Sequence, residues 1–472
     1  MRKTKIICTL GPATDNDDVL RALMKNGMDV ARFNFSHGDY ETHKKRFEQV
    51  VRIREELGLP VATLLDTKGP EIRLGLFKDN KSVVINSGDE YILTTRDVLC
   101  DEKCASVSFK GITMDVTVGT KILINDGLVS MVAKRVTDTD IFCEVIDGGE
   151  LSNNKGVNVP GVDLSMPYLS ERDMSDLEFG AKLDFDFIAA SFVRNGADVA
   201  YLKKFINSLG WRTPKIIAKI ENMEGVNNIQ EIIAVSDGIM VARGDMGVEI
   251  PFEQIPAIQK DIIRKGYKAG KNVITATQML ESMIQNSRPT RAEITDVANA
   301  VYDGTSAIML SGETAVGKHP IEAVKTMATI AEETENHIDY IHQFNISDGK
   351  KDDITNAISH ATVTTAHDLG AKAIITVTKS GSTAKIISKH RPSSMIVGCT
   401  TSPKVWRQIN MSWGVVPVLC DEKYNSDELF EHAVEVTRNN NLVTEGDIVV
   451  ITAGIPLGIS GTTNMLKVDK VQ

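Results

Sequence analysis

The sequence has few cysteines, few aromatic residues and no excess of positive charge. Six cysteines in 472 residues are too few for a disulfide-stapled scaffold, which indicates reduced thiols and a cytoplasmic location. Aromatic side chains make up 5% of the chain, and its 35 glycines and 14 prolines are too rare for collagen-like or low-complexity sequence. The net charge of −10 disfavours nucleic acid or an anionic membrane as partners, because both carry negative charge.

Long hydrophobic runs are also missing. The longest uncharged stretch, Ile448 to Leu466, contains Pro456 and several glycines, a composition typical of strands and turns and not of a membrane span. The apolar run near the N-terminus is interrupted by Gly11-Pro12 and is too short for a signal peptide. What the chain does have is length, since 472 residues predict about three domains.

Short, nearly all-apolar runs recur along the chain, each followed by polar residues and an amphipathic helical stretch. Continuous apolar strands are buried on both faces, as in a parallel sheet covered by helices. Eight of them predict a closed (β/α)8 barrel, the TIM barrel. The predicted strands are Lys5–Thr9, Val30–Asn34, Val61–Leu65, Phe187–Ser191, Lys215–Ile220, Gly238–Ala242, Asn272–Ala276 and Ala307–Leu310.

A long insertion separates the third predicted strand from the fourth. From Glu71 to about Met166 the sequence alternates apolar and polar residues between turn signals, a pattern typical of β-hairpins. The insertion is predicted to be a small β-barrel lid on the face of the large barrel where active sites lie. The predicted hairpins are Lys81–Leu93, Lys121–Val132 with its Asn125-Asp126-Gly127 turn, and Ile141–Ile146 before Asp147-Gly148-Gly149.

A third α/β segment follows the barrel. A helical stretch from Pro320 to about Phe344 leads through a polar segment, Asn345–Asp353, into strands that predict a small open-sheet domain. Those strands are Ala373–Thr378, Met395–Thr400, Val415–Cys420 and Asp447–Thr452. The predicted domains are a catalytic barrel from 1–70 and 167–345, an inserted lid from 71–166 and a C-terminal regulatory α/β domain from 346–472.

Two predicted strands end in polar side chains where a buried strand should be apolar. Lys219 and Glu221 are two residues apart and so face the same side, and Arg32, Asn34 and Ser36 share this spacing. A charge aimed into a barrel is costly unless it is paired or binds a ligand. A structural ion pair that closes the barrel is the alternative for Lys219 and Glu221.

Further polar residues follow other strands, at the barrel end where active sites are assembled. These are Asp66, Asp245 and Thr277. Glu221 and Asp245 are hard carboxylates suited to Mg²⁺ or Mn²⁺. Because Arg32 and Lys219 add two cationic donors, the set describes a pocket for a phosphorylated carboxylic acid.

Five segments, taken jointly, match the signatures of the pyruvate kinase family. The chain resembles that family along essentially its whole length and in the right order. The resemblance implies phosphoryl transfer from phosphoenolpyruvate to ADP, giving pyruvate and ATP in the last step of glycolysis. The segments are Asp66-Thr67-Lys68-Gly69-Pro70-Glu71-Ile72-Arg73, Lys219-Ile220-Glu221-Asn222, Ala242-Arg243-Gly244-Asp245, Ala276-Thr277-Gln278-Met279-Leu280-Glu281-Ser282 and Met309-Leu310-Ser311-Gly312-Glu313-Thr314.

The resemblance also implies roles for single residues. The position of Lys219 stabilises the transferring phosphoryl group, and those of Glu221 and Asp245 bind the divalent metal. A threonine hydroxyl is a poor acid by itself, so Thr277 is expected to orient a water that protonates the enolate of pyruvate. The implied substrate contacts are Arg32, Lys219, Gly244, Asp245 and Thr277.

Members of the family use K⁺ as well. An oxygen-only cluster suits such a hard monovalent cation, and the implied ligands are Asn34, Ser36, Asp66 and the Thr67 carbonyl. Glu71 predicts dependence on K⁺, because potassium-independent members carry Lys at that position. Lys155, next to a glycine, would otherwise be a solvated surface residue. The implied nucleotide contacts are Asn34, Ser36, His37, Arg73 and, from the lid, Lys155.

A second candidate phosphate site is the loop Thr378-Lys379-Ser380-Gly381-Ser382-Thr383. It follows a predicted strand and opens a helix at Ala384–Lys389, so amides, hydroxyls and one Lys could hold an anion. Helix capping by Ser382 or Thr383 is the alternative. This loop resembles the site that binds a sugar-phosphate or AMP activator in members of the family. The turn Ser460-Gly461-Thr462-Thr463 is the neighbouring part of that site. Ser382 stands where animal members often carry Arg, which leaves the effector open.

Two other functions compete with the kinase. A barrel that makes or breaks C–C or C–P bonds of phosphoenolpyruvate has no evident use for the lid, Arg73 or Lys155. A catalytically inactive sugar-phosphate sensor is expected to lack at least one of Lys219, Glu221, Asp245 and Thr277, and all are present. The family is usually tetrameric, so a homotetramer is expected. Because the sequence ends at Gln472, the extra C-terminal domain that some bacterial members append is not expected.

Overall fold

The barrel predicted from the apolar runs is confirmed. The structure is a computed structural model that describes residues 1–346, 353–456 and 463–472, and eight parallel strands close into one barrel. The first strand pairs with the eighth, with Lys5 opposite Ala307. The predicted ranges hold except at the third and fourth strands, whose ends differ by one residue. The strands are Lys5–Thr9, Val30–Asn34, Ala62–Asp66, Phe187–Ala190, Lys215–Ile220, Gly238–Ala242, Asn272–Ala276 and Ala307–Leu310.

Helices cover the outside of the barrel, and several begin at side chains that accept amide hydrogen bonds. Ser170 and Asp173 cap each other reciprocally, as do Thr290 and Glu293. The helices are Asp17–Lys25, Tyr40–Leu57, Glu171–Leu183, Gly196–Ser208, Met223–Asn227, Ile229–Val235, Arg243–Glu249, Ile255–Lys268, Arg291–Tyr302, Gly312–Ala315, Pro320–Asn336 and Tyr340–Ile346, with 3-10 turns at Pro12–Thr14, Phe252–Gln254 and Glu281–Ile284.

The helical stretch predicted from Pro320 to about Phe344 is present, but it is divided into two helices, Pro320–Asn336 and Tyr340–Ile346. The first ends at Asn336, where the His337 amide donates to the carbonyls of Glu335 and Thr334. Asp339 then accepts a hydrogen bond from the His342 amide at 2.9 Å, which satisfies a free donor at the start of the second helix. Most of the predicted polar segment, Asn345–Asp353, lies outside the described residues.

The inserted β domain is a seven-stranded sheet with a second, two-stranded sheet beside it. A bridge between Leu74 and Val107 joins the two edges of the larger sheet, and buried Phe77, Tyr91 and Ile122 lie in its core, so the predicted small β barrel is confirmed. Its strands are Ile72–Arg73, Val83–Ile85, Glu90–Thr94, Cys104–Ser106, Lys121–Ile124, Val129–Val136, Asp140–Asp147, Gly149–Leu151 and Gly156–Asn158, with a helix at Ile112–Asp115 and a 3-10 turn at Lys78–Asn80.

Of the three predicted hairpins, only the one at Asn125-Asp126-Gly127 is confirmed, with Lys121 opposite Val132. The hairpin at Lys81–Leu93 is wrong, since Val83–Ile85 pairs with Gly149–Leu151. The chain at Asp147-Gly148-Gly149 passes between the two sheets and does not turn a hairpin. Gly148 permits this crossing, because a Cβ there would lie 2.5 Å from the Ile85 carbonyl oxygen.

The C-terminal part is an open five-stranded sheet whose fifth strand was not predicted. Thr463–Lys470 is antiparallel to its neighbour, and as a charged edge strand it lacks the apolar run that marks the others. In spatial order the strands are Val415–Leu419, Met395–Thr400, Ala373–Val377, Ile448–Gly454 and Thr463–Lys470. The helices are Ile354–Asp368, Ser382–Lys389, Pro403–Ile409 and Ser426–Asn439. Across the described ranges, no helix is both long and apolar enough to cross a membrane.

This C-terminal part contacts the amino-terminal end of the barrel strands. Asp186, fully buried just before the fourth strand, lies 3.0 Å from Arg407 Nε and 3.4 Å from Lys404 Nζ. Arg54 approaches the same carboxylate at 3.7 Å. The opposite end of the barrel, where the strands end at their carboxyl side, therefore faces the inserted domain. The domain boundaries named above stay a prediction.

Candidate active site

Lys219 lies at the centre of a buried cluster at the carboxyl end of the barrel. Its Nζ is 2.8 Å from Glu221 Oε1 and 3.2 Å from Asp66 Oδ1, and it donates a hydrogen bond to Ser191 Oγ at 2.8 Å. Lys219 and Glu221 face the same side, as their spacing predicts. Burial opposes the charged form, but the carboxylates of Asp66 and Glu221 outweigh it and raise the pKa of Lys219.

Asp66 is paired with two cations in this structure. Arg32 Nε donates to Asp66 Oδ2 at 2.6 Å, and Arg32 Nη1 donates to Thr9 Oγ1 at 2.9 Å. Burial alone would raise the pKa of Asp66, yet the charges of Arg32 and Lys219 lower it. The sequence predicts Asp66 at the end of a barrel strand and, by resemblance, among the K⁺ ligands. It does not predict the ion pair with Arg32, because that pair joins two separate strands.

Glu221 is a fully buried carboxylate whose charged partner is Lys219. It accepts a hydrogen bond from the Phe192 amide at 2.5 Å, but its Oε1 makes no hydrogen bond of suitable angle despite the proximity of Lys219. Burial raises the pKa of Glu221 to about 8, and the negative charge of Asp245 adds to this while Lys219 opposes it. Asp245 itself is exposed. This donor set suits an added divalent cation, which would stabilise the ionised form.

Thr277 follows the seventh strand in a conformation that a branched side chain rarely adopts, with φ at +67°. Its hydroxyl accepts a hydrogen bond from the Gly244 amide at 2.8 Å and donates to the Ala276 carbonyl at 2.6 Å. Arg243 Nη2 donates to the Thr277 carbonyl at 2.6 Å, and Arg243 is also ion-paired with Asp296 at 2.7 Å. Arg243 thus stabilises the strained turn by a hydrogen bond to its backbone.

The candidate nucleotide residues of the second strand lie on a turn at its end. Asn34 Oδ1 accepts a hydrogen bond from the Ser36 amide at 3.1 Å, while Ser36 and His37 are exposed. The His37 carbonyl lies 2.8 Å from Nε2 of buried His43, and this contact holds the turn against the helix that carries His43. The Thr67 carbonyl, the remaining candidate K⁺ ligand, accepts a hydrogen bond from Ser191 Oγ at 2.6 Å.

A cavity of about 610 Å³ opens between the inserted domain and the barrel. Arg73 and Lys155 line it from the inserted domain, and Asp245 lines it from the barrel, so the cavity adjoins the cluster around Glu221. Arg73 Nη2 is 2.5 Å from Glu71 Oε2 and its Nη1 donates to the Asn154 carbonyl at 2.8 Å. Arg73 and Lys155, which the sequence predicts as nucleotide contacts, therefore lie on the same wall of this cavity.

The loop 378–383 is held by its own hydroxyl groups. The Gly381 amide donates to Thr378 Oγ1 at 3.0 Å, and the Ser380 and Ser382 hydroxyls are 2.9 Å apart. Thr383 Oγ1 is 2.9 Å from Thr463 Oγ1. The helix starts after Gly381, with φ at +84° and no side-chain cap, so capping by Ser382 or Thr383 is wrong. Ser460, Gly461 and Thr462 of the predicted neighbouring turn lie outside the described residues.

Sequence reasoning missed three residues at the site. Ser191 and Phe192 contact Lys219 and Glu221, and Arg243 holds the Thr277 turn. Ser191 had a readable signal, since it is a polar residue at the end of an apolar strand. Arg243 lies in the segment Ala242-Arg243-Gly244-Asp245, but the sequence assigned it no role, and Phe192 had no signal. The contacts of both residues depend on backbone geometry between strands that are distant in sequence.

Comparison with known proteins identifies the family. The family model described as "Pyruvate kinase, barrel domain" matches residues 1–324, and "Pyruvate kinase, alpha/beta domain" matches 356–469. Pyruvate kinase of Clostridium acetobutylicum is 48% identical over 473 residues, with 100% of both chains covered. That of Staphylococcus haemolyticus is 48% identical over 100% of this chain and 81% of its own.

A crystal structure of a pyruvate kinase from Cryptosporidium parvum has the same fold, with a TM-score of 0.94 and 40% identity over 100% of this chain and 96% of that one. Because the match covers 100% of this chain, it includes both the barrel and the C-terminal sheet. The chain therefore belongs to the pyruvate kinase family and is a phosphotransferase.

Proposed function

We propose that the protein transfers a phosphoryl group from phosphoenolpyruvate to ADP, in a reaction that depends on Mg²⁺ (or Mn²⁺) and K⁺ and yields pyruvate and ATP in the last step of glycolysis. The observation that carries this proposal is the contact of buried Lys219 with both Glu221 and Asp66 at the carboxyl end of the barrel. A lysine held charged in this way neutralises the charge that develops on a transferring phosphoryl group.

Arg32 and Lys219 are the cationic side chains that bind the phosphate of phosphoenolpyruvate. Both are buried, and their pairing with Asp66 fixes where their charges lie. Fixed donors cost little reorganisation during the reaction. Gly244 offers a backbone that a substrate can approach, since it has no side chain at this position.

Glu221 and Asp245 are the residues that hold the divalent metal. They fit such an ion because Glu221 is buried with a raised pKa and an oxygen that lacks a well-directed hydrogen bond. Within the described residues, no group of three or more His, Cys, Asp and Glu side chains that could hold a metal is found. We propose that substrate and water oxygens complete the coordination, since Mg²⁺ usually keeps such ligands beside one or two carboxylates. When bound, the ion supplies positive charge that orients and polarises the substrate oxygens.

Asn34, Ser36, Asp66 and the Thr67 carbonyl are the ligands proposed for K⁺. All four supply oxygen, the donor that hard cations prefer. Asp66 and the Thr67 carbonyl are within one residue of each other, and both contact Ser191. A cation here would add positive charge beside the carboxylate that also pairs with Arg32 and Lys219.

Thr277 orients the water that protonates the enolate of pyruvate after the phosphoryl group has left. Its hydroxyl is held by the Gly244 amide and the Ala276 carbonyl, so its remaining lone pair has a set direction. ADP occupies the cavity between the inserted domain and the barrel, in contact with Arg73 and Lys155, which line it. The turn at Asn34, Ser36 and His37 is not part of that lining, and it is proposed to contact the nucleotide beyond the cavity. These cationic side chains and the lid favour a nucleotide over the substrates of a lyase.

The loop 378–383 is the proposed site of a sugar-phosphate or AMP activator, with Lys379 as its cationic residue. The loop ends at a helix whose first amides have no side-chain cap, an arrangement that suits an anion. A cytoplasmic homotetramer completes the proposal.

A coupled assay tests this function. Purified protein supplied with phosphoenolpyruvate, ADP, Mg²⁺ and K⁺ is expected to form pyruvate and ATP in equal amounts. Omission of ADP separates the kinase from a lyase, because only the kinase then stops. Absence of product under the complete conditions would overturn the proposal.

A further inference from the structure

Ser191 lies between Lys219 and the proposed K⁺ ligands Asp66 and Thr67. It follows the fourth barrel strand directly and is 1% exposed. Its Oγ accepts a hydrogen bond from Lys219 Nζ at 2.8 Å and lies 2.6 Å from the Thr67 carbonyl oxygen and 3.3 Å from Asp66 Oδ1. A hydroxyl donates only one hydrogen bond, and the shorter distance directs it to the Thr67 carbonyl.

We propose that Ser191 is a positioning residue that ties Lys219 to the Thr67 carbonyl, and so links the lysine to the K⁺ site. This inference rests on the proposed function of Lys219. The other two contacts of Lys219 within 3.2 Å are the carboxylates of Asp66 and Glu221, and both carboxylates are also proposed ligands of cations. When K⁺ and the divalent cation bind those carboxylates, Ser191 is the neutral partner that keeps the ammonium group of Lys219 in place.

The surroundings of Ser191 hold its hydroxyl in one direction. Its amide donates to Thr67 Oγ1 at 3.1 Å, and a Cβ at Gly69 would lie 2.8 Å from the Ser191 Cβ, so the loop after the third strand packs directly against it. Such close packing leaves the hydroxyl little freedom to turn away from Lys219 and Thr67.

The next residue extends the same arrangement to the carboxylate. Phe192 has φ at +53°, a strained conformation for a residue with a side chain, and this turns its amide toward Glu221 Oε2 at 2.5 Å. The end of the fourth strand therefore orients the lysine through a side chain and the carboxylate through the backbone.

Ser191→Ala tests the proposal, with Ser236→Ala as the matched control. Ser236 is also a buried serine, but its hydroxyl donates to the Ile232 carbonyl before the sixth strand, at the far end of the barrel. Misplacement of a reacting group by about 1 Å can cost about a hundredfold in rate, so Ser191→Ala is expected to lower kcat at least tenfold while the KM for phosphoenolpyruvate stays within about threefold. The thiol of Ser191→Cys is a weaker hydrogen-bonding group, so the kcat of this variant should lie between those of the wild type and Ser191→Ala.

Binding of K⁺ gives a second readout that does not depend on turnover. A ligand that binds the folded protein raises its Tm, so KCl is expected to raise Tm relative to tetramethylammonium chloride at equal ionic strength. This rise should be lost in Ser191→Ala and retained in Ser236→Ala. A fall in kcat with an unchanged K⁺ effect would overturn the link to Thr67, and unchanged kcat would overturn the positioning of Lys219. If instead the wild-type protein makes no pyruvate, the proposed function itself fails.

Discussion

The amide of Gly244 donates a hydrogen bond to the Thr277 hydroxyl at 2.8 Å, across two neighbouring barrel strands. The same hydroxyl donates to the Ala276 carbonyl, so both its donor and one acceptor site are used. Thr277 has φ at +67°, a conformation that costs about 1–3 kcal/mol. Arg243 holds the strained peptide through its carbonyl. One hydroxyl is thereby kept in a set direction beside the site.

Replacement of this hydroxyl should slow proton transfer more than substrate binding. Thr277→Ala is expected to lower kcat by about a hundredfold, the low end for loss of general acid–base assistance, with a smaller change in the KM for phosphoenolpyruvate. Thr277→Ser keeps the hydroxyl and should retain most of the activity. Exchange of the pyruvate methyl protons with solvent measures the step directly, and an unchanged exchange rate in Thr277→Ala would contradict the role.

Potassium dependence should follow the charge at Glu71. Glu71 lies 2.5 Å from Arg73 and 3.8 Å from Lys68, and in Glu71→Lys a fixed cation replaces this carboxylate. The variant is expected to gain activity in buffer that contains tetramethylammonium as its sole monovalent cation, where the wild type should be nearly inactive. Glu90→Lys makes the same charge change at an exposed position in the inserted domain and should stay dependent on K⁺. Full wild-type activity without Na⁺ and K⁺ would overturn the dependence.

His43 should make the protein less stable in mild acid. Burial lowers the pKa of His43 from 6.5, although its contact with the His37 carbonyl opposes this, and its ring stacks on Phe35 at 4.2 Å. Because the unfolded chain then binds more protons than the folded protein, stability is lost as pH falls below about 6.5. The Tm of the wild type is expected to fall toward that of His43→Gln between pH 7.5 and 5. A constant difference between them would show that His43 does not titrate in this way.

The buried Asp186 should stabilise the contact between the barrel and the C-terminal sheet. Asp186→Ala leaves the side chains of Arg54, Lys404 and Arg407, which are 9%, 15% and 15% exposed, without their shared carboxylate. Loss of one partner of a buried ion pair costs about 3–5 kcal/mol, so Tm is expected to fall by several degrees. Asp18→Ala, which removes a 93% exposed carboxylate paired with Arg21, should leave Tm nearly unchanged. Equal Tm values for the two variants would contradict the account.

The barrel was predictable because its strands are buried on both faces. Short apolar runs such as Gly238–Ala242, repeated between helical stretches, are typical of covered parallel strands, and a period of two was enough to place Lys219 and Glu221 on the same side. Strand pairing in the inserted domain was not predictable in the same way. Val83–Ile85 pairs with a segment more than sixty residues away, and its local turn signals are compatible with several partners.

Contacts that run between strands also escaped prediction. The pairing of Arg32 with Asp66 and the hydroxyl contacts of Ser191 depend on the register of the closed barrel, which the alternation of side chains along one strand does not define. The antiparallel strand Thr463–Lys470 escaped for a different reason. Its alternation of charged and apolar residues is that of an edge strand, and it follows a segment rich in glycine.

We expect Lys219 to carry the phosphoryl transfer. The most direct measurement compares kcat for pyruvate formation in Lys219→Met and Lys215→Met, two lysines at opposite ends of one strand. Loss of a fixed positive group at the transferring phosphoryl should lower kcat about a thousandfold in Lys219→Met, whereas Lys215→Met should keep the wild-type rate. Wild-type kcat in Lys219→Met, with phosphoenolpyruvate, ADP, Mg²⁺ and K⁺ all saturating, would contradict the account.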